Sequence, residues 1–300
     1  MKILACVGSA VLDHLFRIRK LPVESGKFVA SNYAEIGGGP AATAAVAAAR
    51  LGRAVQLIAP VGHDSTASSI IFELRERNVD TTWVHMVENA TSSVSAVLVD
   101  EAGERLIINH RHPLIDGEPE WMKDIDFSAY GALLSDVRWP RGNRRAMEQA
   151  KTAGVMTILD ADVCPDDMSP LVALADHAAF SQPGLARFTG ETYIAAGLRV
   201  AAKKTDGVVY VTTGGEGCYW LEAGSLRHLP GFAVPVVDTT GAGDVFHGAL
   251  LVALSEGMVT EEAARFASGA AALKCTKPGG RDGIPDRAAL LDFLTSRRQG

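Results

Sequence analysis

The chain has 300 residues, of which 47% are hydrophobic and 21% are charged, and its formal net charge is −6. This composition is ordinary for a globular protein with a sizeable core. The sequence has no overall basic field to favour nucleic acid or an anionic membrane surface, and no apolar run that approaches the ~18 residues needed to cross a bilayer. We therefore expect no nucleic acid and no membrane as partner, and a small molecule as the ligand.

The four cysteines are scattered along the chain and form no CxxC pair; they are Cys6, Cys164, Cys218 and Cys275. This spacing argues against a zinc site and against a disulfide framework. The first residues, MKILACVGSAVLD, contain one lysine and a short apolar run without a cleavage-like site, which indicates a buried first strand rather than a signal peptide. These features predict a cytoplasmic protein with reduced thiols.

The predicted elements alternate between buried strands and helices. In chain order they are a strand at 3–8, a helix at 39–52, a strand at 54–62, a helix at 66–78, and strands at 130–137, 154–162, 177–182 and 207–214, with helical patterns between them. The helix at 39–52 has small residues on every face and can pack closely against a sheet. The alternation predicts an α/β fold with a doubly wound, mostly parallel central sheet.

Two segments break this alternation. Residues 26–36 and 92–110 alternate between polar and apolar residues as antiparallel strands do, and the second segment contains a turn at DEAGE. We expect both segments to be insertions into one domain that spans residues 1–300. Strands of this kind would form a small sheet that covers the functional site.

The stretch TTGAGD, residues 239–244, places a glycine-rich turn directly before the helical run VFHGALLVAL. Glycines allow a close approach to the backbone, and the free amides at a helix start bind anions. A carboxylate at this position, Asp244, can accept a proton from a hydroxyl while the amides hold a phosphoryl group. On this stretch alone, an Asp244 that merely caps the helix is an equally good interpretation.

Two further glycine-rich turns follow predicted strands. In VVYVTTGGEG, Thr212, Gly214 and Gly217 can let amides and a hydroxyl approach phosphates. In EIGGGPAATAA, three glycines at 37–39 lead into a helix. The chain has no GxxxxGK[ST] motif, and no GxGxxG follows its first strand, which argues against a P-loop enzyme and a nicotinamide-dependent dehydrogenase.

Taken together, GGGPAAT, VTTGGEG and DTTGAGDVFHGAL resemble the motifs of the ribokinase-like (PfkB) family of carbohydrate kinases over essentially the whole chain. The resemblance implies an α/β sandwich whose lid is the small sheet formed by the two inserted segments. It implies transfer of the γ-phosphoryl group of ATP, with Mg²⁺, to a sugar hydroxyl. It also implies that Asp244 is the base and that the amides of Gly241, Ala242 and Gly243 form an anion hole.

The same resemblance implies roles for further residues. It places Asp13, Gly38 and Gly39 at the sugar, Thr212, Gly214 and Gly217 at the ATP phosphates, Ser268 and the loop 274–280 at the adenine, and Asp238 and Thr240 at a monovalent cation such as K⁺. The sequence departs from the family pattern at two positions. Thr43 stands where the pattern has asparagine, and SQPG at 181–184 has neither residue of the NxxE element that organises water around Mg²⁺.

Several stretches resemble one group within this family, the sulfofructose kinases of sulfoglycolysis, which phosphorylate the 1-hydroxyl of 6-deoxy-6-sulfofructose. They are LPVESGKFVASNYAEIGGGPAATAAVAAARLG, ERLIINH, DVRW, FSQPGLARFTG and GAALKCTKPGGRDGIPD. By this resemblance Lys27, Asn109 and Arg138 bind the sulfonate, a permanent anion that requires fixed donors. Arg105 and Arg111 are rival anion binders close to Asn109, and His247 is expected to have a structural role.

Other functions remain open from the sequence. Charge counting does not separate a sulfonate from a phosphate, so the acceptor can also be a fructose phosphate, tagatose phosphate, ketodeoxygluconate or a nucleoside. A sugar- or nucleotide-binding protein without catalysis is an alternative of a different class. Because the lid strands would expose sheet edges and the apolar side chains Phe28, Val97 and Leu106, we expect a homodimer that forms through the lid.

Overall fold

The computed structural model describes residues 1–222 and 224–297, and the strands and helices in them follow the predicted alternation closely. The strands are β1 (Ile3–Val7), β2 (Val11–Arg17), β3 (Asn32–Gly38), β4 (Val55–Gly62), β5 (Asp80–Val87), β6 (Val94–Val99), β7 (Arg105–His110), β8 (Tyr130–Ser135), β9 (Met156–Ala161), β10 (His177–Ser181), β11 (Val208–Thr212), β12 (Cys218–Glu222) and β13 (Ser225–Leu229). The helices are α1 (Pro40–Arg50), α2 (Ser65–Glu76), α3 (Pro140–Thr152), α4 (Ser169–Leu174), α5 (Gln182–Thr189), α6 (Ile194–Ala201), α7 (Ala242–Ser255), α8 (Thr260–Cys275) and α9 (Arg287–Ser296). Within these described residues no helix is both long and apolar enough to cross a membrane.

Nine of the strands form the central sheet, in the order β13-β12-β11-β10-β9-β8-β1-β4-β5. Neighbouring strands are parallel from β11 to β5, and β12 and β13 are added antiparallel at one edge. Strand β5 was not predicted, because exposed residues interrupt its apolar pattern, as is common at a sheet edge. The predicted fold class, α/β with a mostly parallel central sheet and a small second sheet, is confirmed.

Helix α7 packs directly against α1 on one face of the central sheet. All residues of α7 from Val245 to Leu254 are buried. A Cβ atom at Gly248 would lie 2.4 Å from the carbonyl oxygen of Ala44 in α1, so the two helix backbones approach at a distance that only glycine allows. This contact fixes the first turn of α7, which carries Asp244, relative to the glycine-rich turn before α1.

The second sheet has four strands in the order β3-β2-β6-β7. The segment 92–110 forms β6 and β7 with a turn between them, as expected. The segment 26–36 does not form a strand throughout: β3 begins at Asn32, and residues 26–31 are irregular because they lie beyond the end of the β2–β3 ladder. The fourth strand, Val11–Arg17, was missed because it follows β1 after only three residues and reads as its continuation.

Candidate active site

Helix α7 begins immediately after the GAGD turn. Gly241 precedes the helix with a φ of 74°, in the left-handed region that glycine adopts without strain. The amide of Ala242 donates to the carbonyl of Thr239 at 3.2 Å. The amides of Gly243 and Asp244 lie in the first turn, where the helix itself offers no carbonyl acceptor. The turn therefore places the positive end of α7 at the site. Of the three amides expected in the anion hole, that of Ala242 already donates a hydrogen bond within the protein.

A cavity of about 250 Å³ lies beside this turn and brings the predicted nucleotide residues together. Its wall contains Thr212, Gly214, Gly217 and Ser268 together with Ala242 and Gly243. The remaining wall is largely apolar and includes Phe232, Val234, Val236, Phe246, Ala271 and Ala272. An apolar wall suits a flat base, and the glycine turns and the helix start suit phosphates, so we name this space the nucleotide cavity.

A larger cavity of about 830 Å³ lies between the start of α1 and the second sheet. Four residues predicted to bind the sugar line it: Asp13, Gly39, Asn109 and Arg138. Gly38 stands directly behind the wall, where a Cβ atom would lie 2.2 Å from the carboxylate of Asp13, so glycine is required for Asp13 to occupy its place. Burial raises the pKa of Asp13, while Ser95, Arg281 and His14 oppose the shift. We name this space the sugar cavity.

Only some of the side chains predicted to bind an anion line the sugar cavity. Arg111 and Arg138 line the sugar cavity, as Arg141 also does. Arg105 instead turns toward Asp238, with its Nη2 3.0 Å from Oδ1, and is therefore not a rival at the sugar. Lys27 lies in the irregular segment 26–31, where it is exposed outside the second sheet. It is therefore not one of the described residues that line the sugar cavity.

Asp244 has an unusual electrostatic environment. Burial raises the pKa of its carboxyl to about 7, and the charges of Asp160 and Asp136 act in the same direction, whereas His247 and Arg281 oppose them. Such a group is half protonated near neutral pH, which suits a base that must take and release a proton.

His247 lies one turn after Asp244 and is buried, as expected of a structural residue. Its Nδ1 is 3.3 Å from Oδ2 of Asp160, and its Nε2 is 3.2 Å from the carbonyl oxygen of Ala179. Burial alone would lower the pKa of His247, but Asp160 and Asp244 outweigh it and raise the pKa. The histidine therefore packs beneath Asp244 and is held there by Asp160 and the carbonyl of Ala179.

Two buried charged residues near the sugar cavity were missed in the sequence. Asp136 is 1% exposed and accepts the amides of Ser9, Ala41 and Arg138 at 2.8, 3.3 and 2.8 Å. It thereby fixes the start of α1 and the backbone of Arg138. Its position directly after β8, at the carboxyl end of a parallel strand, is the signal that could have identified it.

The second is Arg281, which lies under the glycine-rich turn before α1. It donates to the carbonyl of Gly38 at 2.8 Å and to Oγ1 of Thr43 at 3.3 Å, and it pairs with Glu73. The sequence feature that could have indicated this residue is Thr43, which stands where the family pattern has asparagine. The shorter threonine side chain leaves room for a group from another segment. Arg281 acts electrostatically on both Asp13 and Asp244.

The position of the absent NxxE element is taken by the start of a helix. Ser181 caps α5 by accepting the amide of Gly184 at 3.0 Å, and its hydroxyl donates to Asp162 at 2.7 Å. In residues 1–222 and 224–297 no group of three or more His, Cys, Asp and Glu side chains is placed to hold a metal ion. These residues therefore fit Mg²⁺ only as an ion that arrives bound to nucleotide phosphates.

Residues 1–287 match the model of the pfkB family carbohydrate kinases. The chain is 29% identical to ribokinase of Haemophilus influenzae, with 98% of each chain covered. It is 34% identical to a candidate ribokinase from Agrobacterium tumefaciens of known structure, with a TM-score of 0.94, 100% of this chain and 99% of that chain covered. Arabidopsis thaliana ribokinase complexed with ribose and ATP is 29% identical, with a TM-score of 0.87 and 98% of each chain covered. The chain belongs to the pfkB family of carbohydrate kinases, which confirms the predicted family and the predicted class of enzyme.

The raised pKa of Asp244 predicts a pH dependence. With a pKa of about 7, the ionised carboxylate becomes scarce as the pH falls, so kcat/KM for the acceptor should decrease about thirtyfold between its plateau and pH 5.5. The measurement is kcat/KM for the acceptor against pH at saturating MgATP. A profile that stays flat down to pH 5 would contradict the assignment of Asp244 as a base held near neutrality.

Proposed function

We propose that this protein transfers the γ-phosphoryl group of ATP, bound with Mg²⁺, to the 1-hydroxyl of 6-deoxy-6-sulfofructose. The observation that carries this proposal is the wall of the sugar cavity. Asn109 from β7 and Arg138 from the loop after β8 face the same space as Asp13 from β2. A donor pair for an anion and a carboxylate for sugar hydroxyls thus lie in one cavity, as an anionic sugar requires.

The reaction follows from the arrangement around α7. The acceptor hydroxyl loses its proton to Asp244 while its oxygen forms a bond to the γ-phosphorus, and the bond from that phosphorus to the ADP oxygen breaks. The amides of Gly243 and Asp244, at the positive end of α7, stabilise the negative charge on the transferring group. Binding of ATP in the nucleotide cavity is supported by the homologous fold of the Arabidopsis ribokinase complex with ribose and ATP.

Two contacts fix the orientation of the Arg138 guanidinium group beside the sugar cavity. Its Nη2 is 2.6 Å from Oδ2 of Asp162 and its Nη1 donates to the carbonyl of Val163 at 2.8 Å, so the plane of the group is fixed. An arginine has five N–H donors, which leaves donors for a ligand. Asn109 donates to Oγ of Ser95 at 3.1 Å and to the carbonyl of Val94 at 3.3 Å, and it would exchange such a contact for a sulfonate oxygen.

A neutral sugar is the second candidate acceptor. The relatives include ribokinases and fructokinases, and each arginine of the sugar cavity already has a carboxylate partner. The pairs are Arg111–Asp116 at 2.7 Å, Arg138–Asp162 at 2.6 Å and Arg141–Glu118 at 3.1 Å. An anionic acceptor must compete with these carboxylates, whereas ribose or fructose need not.

The acceptor proposal predicts a selective effect of Arg138. Replacement by alanine removes a charged hydrogen bond, so kcat/KM for sulfofructose should fall about tenfold to a hundredfold, with little change for fructose. The measurement is kcat/KM for sulfofructose, fructose 6-phosphate, fructose and ribose, with ATP and Mg²⁺. The matched control is Arg144→Ala, because Arg144 pairs with Glu148 on the exposed side of α3.

A second variant separates the guanidinium from its partner. Asp162→Asn removes the competing charge, while the asparagine amide oxygen can still accept a hydrogen bond from Arg138 and orient it, so the variant should leave activity on sulfofructose unchanged or higher. Wild-type preference for fructose or ribose would support the neutral-sugar candidate. Equal weakening of all four acceptors by Arg138→Ala would reject the sulfonate contact. Full activity in excess chelator would reject the role of Mg²⁺.

We also propose a homodimer formed through the second sheet. Large apolar side chains are exposed on and beside it, with Phe28 53%, Val29 85% and Ile108 62% exposed. Of the three side chains expected on this surface, Val97 is instead buried and lines the sugar cavity, and Leu106 is half-buried. The edge strands β3 and β7 offer open backbone groups for pairing with a second copy.

The dimer proposal predicts that Ile108→Lys dissociates the protein. A charge placed in an apolar interface is costly to bury, so the variant should sediment as a monomer at micromolar concentration while the wild type sediments as a dimer. Leu291→Lys, on the exposed side of α9, is the matched control and should remain dimeric. A monomeric wild type would contradict the proposal.

A further inference from the structure

Lys274, in the last turn of α8, has an unusual environment for a lysine. Its side chain is 0% exposed, and its Nζ donates to the carbonyl oxygen of Asp238 at 2.8 Å. The same Nζ lies 3.9 Å from Oδ1 of Asp238. Burial of an ammonium group is costly unless hydrogen bonds and an opposite charge compensate it. The family resemblance places the loop 274–280, which begins at Lys274, at the adenine, but Lys274 itself does not line the nucleotide cavity.

Asp238 is the residue that the family resemblance places at a monovalent cation, together with Thr240. In the structure its oxygens are already surrounded by donors. Oδ1 accepts the amide and the hydroxyl of Thr240 at 2.8 and 2.6 Å and lies 3.0 Å from Nη2 of Arg105. Oδ2 accepts the amide of Gly279 at 3.1 Å. With two cationic side chains at one carboxylate, these residues do not fit an additional K⁺ ion.

We propose that the ammonium group of Lys274 serves in place of the monovalent cation and that the enzyme therefore needs no K⁺. The ammonium has the charge of K⁺, and it contacts the carbonyl and faces the carboxylate of Asp238 from inside the protein. Lys274 is a positioning residue, because Cys275 lines the nucleotide cavity and Lys274 does not. The proposal is independent of the identity of the acceptor.

The position of Asp238 explains how this contact affects the reaction. The segment that begins at Val237 is attached to the end of α8, since the amides of Val237 and Asp238 donate to the carbonyl of Cys275 at 2.8 and 3.2 Å. The bond from Lys274 to Asp238 is the charged part of this attachment. Six residues after Asp238 the same segment reaches Asp244. Loss of the ammonium group should therefore displace the GAGD turn before α7 and lower kcat more than it raises KM.

The first test uses the wild-type enzyme. At constant ionic strength and with saturating substrates, replacement of choline by K⁺, Na⁺ or NH₄⁺ should change kcat by less than about twofold, because the positive charge is already present. In the absence of nucleotide and acceptor, Tm should be the same in KCl and in choline chloride. Saturable activation by K⁺, or a K⁺-specific rise in Tm, would overturn the proposal.

The second test uses Lys274→Met, which keeps most of the side-chain volume and vacates the position of the ammonium. In choline chloride its kcat should be about tenfold to a hundredfold below that of the wild type, the usual effect of losing a charged hydrogen bond. K⁺ or NH₄⁺ should restore much of the kcat and raise the Tm of this variant. Lys203→Met, an exposed lysine before β11, is the matched control and should behave as the wild type.

Each outcome for the variant decides the proposal. Wild-type kcat without a response to ions, or a loss of kcat that neither K⁺ nor NH₄⁺ restores, would overturn it, because Lys274 would then be dispensable or merely structural. If the variant does not fold, the ion independence of the wild type decides alone. Kinetics use whichever acceptor proves active, and the Tm measurements need none, so failure of the sulfofructose proposal is distinguishable from failure of this one.

Discussion

The site depends on the burial of one helix, α7, against its neighbours. Its residues from Val245 to Leu254 are all buried, and at Gly248 its backbone touches that of α1. The apolar surface removed from water holds the helix in one position, since each buried leucine or valine contributes roughly 1.5–3 kcal/mol. Helix α1 begins at the glycine-rich turn of the sugar cavity, and α8 carries Ser268 of the nucleotide cavity. Packing these three helices together places the start of α7, which lines the nucleotide cavity, beside Thr43 of α1.

Buried charges then adjust the loops at this edge of the sheet. Asp136, Arg281 and Lys274 are 1%, 4% and 0% exposed. Each forms hydrogen bonds with backbone atoms of a loop that lines a cavity or carries Asp244. Charges of this kind contribute little net stability, because desolvation offsets their attraction. Their contacts fix the positions of loops that apolar packing alone would leave less well defined. Asp136 and Arg281 also act on Asp244, where Asp136 raises and Arg281 lowers its pKa.

The sequence was sufficient for the fold class, and most of the site residues that it predicted line one of the two cavities. Thr212 and Ser268 are far apart in the chain, yet both line the nucleotide cavity, because Thr212 ends β11 at the carboxyl edge of the sheet and α8, which carries Ser268, packs against α7. The resemblance to a kinase family supplied their roles. Strand β2 was missed because a short gap after β1 conceals a change of sheet.

Charged residues whose partners come from distant segments could not be predicted. Nothing in the local pattern around Lys274 or Arg281 shows that the side chain is buried, because the compensating groups, Asp238 and Glu73, lie elsewhere in the sequence. For the same reason Arg105 was considered at the sugar, whereas its partner is Asp238. Lys27 was placed on a strand by its neighbours' alternation, but the β2–β3 ladder ends at Asn32 and leaves the lysine outside.

The central claim is that Asp244 takes the proton while other groups hold the nucleotide. Asp244→Asn tests it most directly, since the amide has nearly the same shape and cannot act as the base. Turnover measured by ADP release should fall by about 10²–10⁴-fold, while the affinity for MgATP measured by calorimetry stays within about twofold of the wild type. Turnover close to that of the wild type, or a loss of MgATP binding equal to the loss of activity, would contradict the account.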